Sequence, residues 1–341
     1  MRHDLLLLTA TILLLAGCAT VEPLGDRSAD AVPLPRNLAE RFCYQRAPLE
    51  NTLELRKEKR RYRVYDVVLE AGPDEYADDT PITLEYYEPI ADTPVATVLV
   101  LPILNGQKEL VRPFATQFAK HGYAAVIVDT VQRRTLIEDL VNPESAIRLT
   151  VLRHRRVIDW VVNQPQLDAS RLAVFGASLG GFNALYVAAL DPRIRAVVPA
   201  LVAGDLPYVL VHSNERRIAE SVETTRQSLS MTAAEFQAYL EEHLETDLLT
   251  LAPHINADRV LMVLAKHDKA VPYEKQVELR KALGDPQAIY LPTGHITTAA
   301  YLFYLRSRAL RFFERKFAEP GNRSVQAVSD DYCAAIVQEG G

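Results

Sequence analysis

The sequence predicts a doubly wound α/β domain with a mostly parallel sheet and a helical cap inserted late in the chain. Three observations carry this expectation. Short, nearly continuous apolar runs at 97–101, 124–128, 172–175, 196–202, 260–265 and 288–291 suit strands buried on both faces. Helical patterns at 146–162, 184–190, 273–283 and 297–317 alternate with them, the strand-then-helix order of a parallel sheet covered on both sides. The stretch between Val202 and Val260 is far longer than an ordinary connection, so a cap is expected at about 203–259.

The elements follow in chain order. Arg2, the apolar stretch from Leu5 to Ala16 and the small residues before Cys18 read as a cleaved signal at 1–17, since the stretch is short for a permanent span. Leu15-Ala16-Gly17-Cys18 resembles the bacterial lipobox, whose cysteine thiolate accepts a lipid. Ala19 stands where Asp would mark inner-membrane retention. The expected location is therefore the bacterial cell envelope, with the chain lipid-anchored to the outer membrane and facing the periplasm. The proline-bearing segment 18–40 reads as a tether, and the catalytic domain is expected over 41–341. The basic run from Arg56 to Arg61 reads as a solvated face or a head-group contact. Residues 64–69 and 82–87, rich in β-branched and aromatic side chains and separated by Gly72-Pro73-Asp74, read as an opening antiparallel pair.

Composition bounds the answer. With 341 residues, 48% hydrophobic, the chain can bury one large core without a metal or disulfide staple. A net charge of −6 argues against a polyanion as main partner, so nucleic acid is excluded as the expected substrate.

The chemistry is expected at the carboxyl ends of the strands. Gly176-Ala177-Ser178-Leu179-Gly180-Gly181 follows one apolar run and opens a helix. Glycines two residues either side of the serine allow a sharp turn with the Ser178 hydroxyl exposed at its tip. A hydroxyl needs a base, and His295 in Pro292-Thr293-Gly294-His295 is the best placed of eight histidines. His121, His154 and His243 fall in helical patterns as surface or packing residues, while His212 and His254 lie in the cap region. Asp268, in the loop after 260–265, supplies the carboxylate that fixes the imidazole, with His267 a bystander and Asp258 at the wrong end of its strand.

The segment from Val157-Ile158-Asp159-Trp160 through Gln164-Pro165 and Asp168 to Arg171, then into the Ser178 turn, resembles the α/β-hydrolase superfamily. The likeness is closest to its dienelactone hydrolase and acylaminoacyl-peptidase-like branches. It extends over roughly residues 62–317, and Asp268 with Val271-Pro272, and Gly294-His295, match the acid and histidine loops. Ala265 stands where Gly is common, and serine replaces the cysteine of true dienelactone hydrolases, so that activity is not implied. The resemblance implies an oxyanion hole from two backbone N–H groups, Leu179 and a residue after the third strand, Leu104 with Ile103 next; Pro102 has no N–H.

These readings leave three functions open. The first is a serine hydrolase cleaving a carboxylic ester through an acyl-enzyme, with a small-molecule acyl substrate. The second is a peptidase, amidase or acyltransferase using the same Ser178, His295 and Asp268, and the third is a non-catalytic binding lipoprotein. Neither metal nor cofactor is expected. In the cap, Thr232-x-x-Glu235 signals a helix start, and Leu206, Tyr208, Val209 and Leu210 line an acyl pocket or pack on the domain. Arg216 and Arg217 read as solvated helix charge, with contact to an anionic group as the alternative. With Cys18 acylated, Cys43 and Cys333 form an even pair in an oxidising space, so a disulfide is expected, two buried thiols being the alternative.

Overall fold

The computed structural model of the chain describes residues 19–25, 31–44, 46, 49–70, 80–103, 106, 108–129 and 135–319. Among them, ten strands form one sheet. They are β1 (Thr20–Glu22), β2 (Asn51–Glu58), β3 (Tyr62–Leu69), β4 (Ile82–Pro89), β5 (Val95–Leu101), β6 (Ala124–Val128), β7 (Leu167–Ala177), β8 (Ile194–Ala200), β9 (Leu261–Ala265) and β10 (Gln287–Leu291). Their order across the sheet is β1-β10-β9-β8-β7-β5-β6-β4-β3-β2. The block from β6 to β10 is parallel, and β2 to β4 add an antiparallel meander at one side. The apolar runs became strands because both their faces are covered: β5 and β6 are almost wholly buried.

Helices close the two faces. One apolar cluster gathers around α3 (Pro143–Val162), α4 (Leu179–Leu190) and the cap. The other gathers around α2 (Arg112–Lys120) and the long C-terminal helix Leu302–Ala318, where Phe118 and Phe313 meet. The insert is helical as expected: α5 (Leu206–His212), α6 (Arg216–Ser228), α7 (Ala233–His243) and α8 (Leu248–Leu251). Thr232 and Glu235 form the anticipated reciprocal cap at the start of α7, with the Thr232 N–H donating to Glu235 at 2.7 Å. Helices α9 (Tyr273–Ala282) and α10 (Leu302–Ala318) complete the domain, and among the described residues no helix is long and apolar enough to cross a membrane.

The N-terminal segment departs from the tether expected over 18–40. Thr20–Glu22 adds an edge strand to β10, the Val32 N–H donates to the Pro253 carbonyl, and α1 (Arg36–Arg41) buries Leu38. The proline spacing hid this because three ladder positions are too few to show alternation. Beyond α1, the Phe42 carbonyl accepts from Arg155 and the Tyr44 hydroxyl donates to Asp159 at 2.6 Å. Behind them Arg193 bridges Asp159 and Asp191 at 2.6 Å each. Burial pushes the Asp191 carboxyl up, but hydrogen bonds and charge from Arg193, with Arg155, outweigh it and hold the group below its ordinary range.

The basic run also takes a more specific place than a solvated face. Its first part lies in β2, an exposed edge strand, from which Arg56 reaches buried Glu85 at 2.7 Å. Arg112 holds the same carboxylate at 2.7 Å and Lys108 at 3.4 Å. Burial opposes charge on Glu85, and these three cations overcome it, keeping the carboxyl well below its usual range. The cluster ties the edge strand to the loop beyond β5.

Candidate active site

Three loops at the carboxyl ends of β7, β9 and β10 bring the expected side chains together. The Ser178 hydroxyl lies 2.9 Å from His295 Nε2, and His295 Nδ1 lies 2.8 Å from Asp268 Oδ2. This geometry requires the imidazole proton on Nδ1, leaving Nε2 to accept from the serine.

Ser178 reaches this position through a strained turn. Its φ of +53° is the left-handed region, unusual for a residue with a side chain, and its N–H is fixed by the Ala200 carbonyl at 2.8 Å. The flanking glycines are required by close approach. A Cβ on Gly176 would stand 2.0 Å from the Gly180 carbonyl oxygen, and one on Gly180 would stand 2.2 Å from that of Leu101. Helix α4 thus starts in contact with the end of β5, from which Pro102 and Ile103 continue.

Asp268 is buried and saturated with donors. Its Oδ1 accepts from the Ala270 and Val271 N–H groups at 2.9 Å each, and its Oδ2 accepts from Gln276 Nε2 at 3.2 Å as well as from His295. Gln276 is itself fully buried, donating to the Val271 carbonyl at 2.7 Å and accepting from the Ala265 N–H. It therefore locks the acid loop to β9. The residue pattern did not single it out; the available signal was a polar residue on the buried stripe that Gln276 shares with Leu279 and Leu283. Leu201, with φ of +56° after β8, was also missed and contributes to the cavity wall.

A cavity of about 520 Å³ opens from Ser178. Toward the cap its wall comprises Phe182 and Tyr186 of α4, Ile147 and His154 of α3, and Val209 and Leu210 of α5. Tyr186 lies two turns along α4 from the Ser178 end, so the apolar wall follows that helix. Toward the histidine loop the wall comprises Val111, Phe114, Ile296, Leu302 and Leu305. Burial pulls the His154 imidazole down to about 4, so it is neutral near pH 7. Leu206, Val209 and Leu210 both line the cavity and pack into the core, whereas Tyr208 stacks on His212 and lies under Lys275. Arg216 pairs loosely with Glu220 on the exposed side of its helix.

The Leu179 N–H opens α4, where the first helical N–H groups have no partner four residues back. Ile103 borders the cavity, while Leu104 lies outside the described residues. Cys18 and Cys333 also lie outside them; Cys43 is disulfide-bonded. His267 stays exposed beside the triad, and Asp258 pairs with Lys316 away from it. Among the described residues, no group of three or more His, Cys, Asp or Glu is arranged to hold a metal ion.

This sheet order, with a serine elbow after β7 and acid and histidine loops after β9 and β10, defines an α/β-hydrolase. The chain belongs to the X-Pro dipeptidyl-peptidase (S15) family, whose model matches residues 40–282. Among solved structures it is similar to acetyl xylan esterase 1 from Thermoanaerobacterium sp. JW/SL YS485, with a TM-score of 0.63 and 17% identity over 83% of this chain and 92% of that one. An acetyl xylan esterase from Paenibacillus sp. R4 gives a TM-score of 0.60 at 20% identity, covering 85% and 97%. At these identities the likeness is one of fold. In sequence it is 27% identical over 119 residues to cutinase 2 of Thermobifida cellulosilytica, a match spanning 33% of this chain and 42% of the cutinase. The match thus spans about two fifths of that relative's length.

Proposed function

We propose that this chain is a carboxylic-ester hydrolase working through an acyl-enzyme. Ser178 attacks the ester carbonyl as His295 Nε2 takes its proton; the imidazolium then protonates the departing alcohol. Water enters, gives its proton to His295, and the acid leaves as Ser178 recovers its own. Asp268 holds the tautomer and stabilises the charged ring. The Leu179 N–H and one from 103–104 receive the developing oxyanion. The observation that carries this reading is the serine held at a left-handed φ in line with histidine and acid at 2.9 and 2.8 Å.

The family name raises a second reading, release of an X-Pro dipeptide. Such a substrate brings a free ammonium group, which in an apolar cavity needs an available carboxylate. Among the described residues lining the cavity, both carboxylates outside the triad are engaged. Asp129 accepts from Thr83 at 2.6 Å and pairs with Lys108, and Glu215 caps the Ile218 N–H at 2.9 Å. An ester with apolar groups on either side of the bond fits these walls better.

Ser178→Ala should lose fluorophosphonate labelling and about 10³-fold or more in ester turnover. Matched ester and Xaa-Pro amide substrates then decide between the readings, and faster amide turnover would reverse the assignment. We further propose export and lipid attachment at Cys18, supported by the lipobox-like Leu15-Ala16-Gly17-Cys18. Cys18→Ser should abolish incorporation of labelled fatty acid; a wild-type chain that takes up none overturns the anchor.

A further inference from the structure

We infer that the mouth of the catalytic cavity is held against the lipid leaflet that carries the Cys18 anchor, and that the acyl ester is drawn from that leaflet. The inference rests on the ester-hydrolase and lipoprotein readings above. The register of β1 carries it. Thr20 stands opposite Tyr290 and Glu22 opposite Ala288, so the chain enters the sheet at the carboxyl end of β10, the end from which Pro292 leads to His295. Cys18 precedes Thr20 by only two residues. Two residues reach about 7.6 Å and an antiparallel pair adds about 5 Å, so the anchor's Cα stays within roughly 13 Å of Tyr290. A long tether would leave the domain free to turn; this short one fixes which end of the sheet meets the lipid.

That end carries the matching surface. Ile296 is 86% exposed, Phe303 58% and Leu110 38%. Ile296 and Leu110 belong to the cavity wall, and Phe303 follows Leu302, which also belongs to it. Single exposed apolar side chains are ordinary, whereas several rimming one apolar cavity mark a contact surface. Cations share this end of the sheet: exposed Lys266 and Lys269 lie in the Asp268 loop after β9, Lys266 over the Tyr290 ring, and the Arg306 guanidinium lies 4.8 Å over the Phe303 ring. Glu109 is the acidic neighbour of Leu110, and it is paired with Arg112. Apolar side chains among lysines and arginines complement a leaflet with anionic head groups. Docked this way, the acyl chain passes from leaflet to cavity without crossing water. The alcohol stays at head-group level, leaves with the proton from His295, and hydrolysis of the acyl-enzyme returns a free acid.

The test uses the full lipidated chain in vesicles of phosphatidylglycerol and phosphatidylcholine. It compares a water-soluble butyrate ester with a medium-chain glyceride embedded in the bilayer. Phe303→Asp should lower turnover of the embedded ester about tenfold or more while butyrate turnover stays within about twofold. Inserting a flexible Gly/Ser stretch of about twenty residues between Cys18 and Thr20 should lower embedded-ester turnover alone, without touching the folded surface. Equal losses on both substrates, or wild-type turnover of the embedded ester in both variants, would overturn the inference. Failure of the wild type on both esters would instead refute the hydrolase reading, and absence of lipid on Cys18 the anchor.

Discussion

Gly180→Ala tests whether contact between helix α4 and the end of β5 builds the proposed oxyanion hole. The new Cβ would stand 2.2 Å from the Leu101 carbonyl oxygen and 2.7 Å from that of Pro102, both backbone atoms with no rotamer to escape into. Ordinary contact lies near 3.4 Å, so helix and strand must part by about 1 Å. The two groups forced apart carry the Leu179 N–H on one side and the 103–104 loop on the other. A displacement of that size at a reacting centre costs about 10²-fold, and loss of one oxyanion donor about 10²- to 10³-fold. The expected outcome is kcat on a butyrate ester down by about 10²-fold with KM little changed, and stability lower by about 1–3 kcal/mol. Gly122→Ala is the matched control. Unlike helical Gly180, Gly122 has a positive φ, +83°, and nothing stands within 4 Å of where its Cβ would lie, so stability alone should fall, by about 1 kcal/mol. Steady-state kinetics with circular dichroism to verify folding decide the matter. A Gly180→Ala protein within about threefold of wild-type kcat would refute this account of the oxyanion hole.

Three further outcomes are expected. Gln276→Leu removes a donor to Asp268 and leaves the Val271 carbonyl and Ala265 N–H unpaired, so kcat should fall about tenfold, equivalent to about 1.4 kcal/mol. KM should change little; a lower denaturation midpoint with kcat unchanged would make Gln276 purely structural. His154 has its folded pKa lowered from 6.5 to about 4, so the unfolded chain binds the extra proton first and stability is lost as pH falls through that window. Relative to His154→Leu, wild type should lose about 2–3 kcal/mol between pH 7.5 and 4.5 by denaturant titration, and parallel losses in both proteins would contradict this. Glu85→Gln leaves Arg56, Arg112 and Lys108 around a buried neutral amide and should cost about 3 kcal/mol, seen as a lower denaturation midpoint.

The sequence alone determined the local parts of this protein. Apolar runs without alternation marked the strands from β5 to β10, because residues covered on both faces leave no polar period. Gly176-x-Ser178-x-Gly180 marked the elbow, because nothing larger than hydrogen fits where helix meets strand. Chain order then pointed to Asp268 and His295, and the Thr232–Glu235 reciprocity marked a helix start because capping is settled within one turn. Tertiary structure decided whatever depends on distant partners. Three residues after Cys18 became an edge strand only because β10 offered unpaired backbone groups. Arg56 became part of a buried charge cluster only because β4 and α2 brought Glu85 and Arg112 to it. Gln276 became the brace of the acid loop only once α9 packed against β9, since a polar side chain on an apolar stripe gains its role from the donors and acceptors that folding places around it.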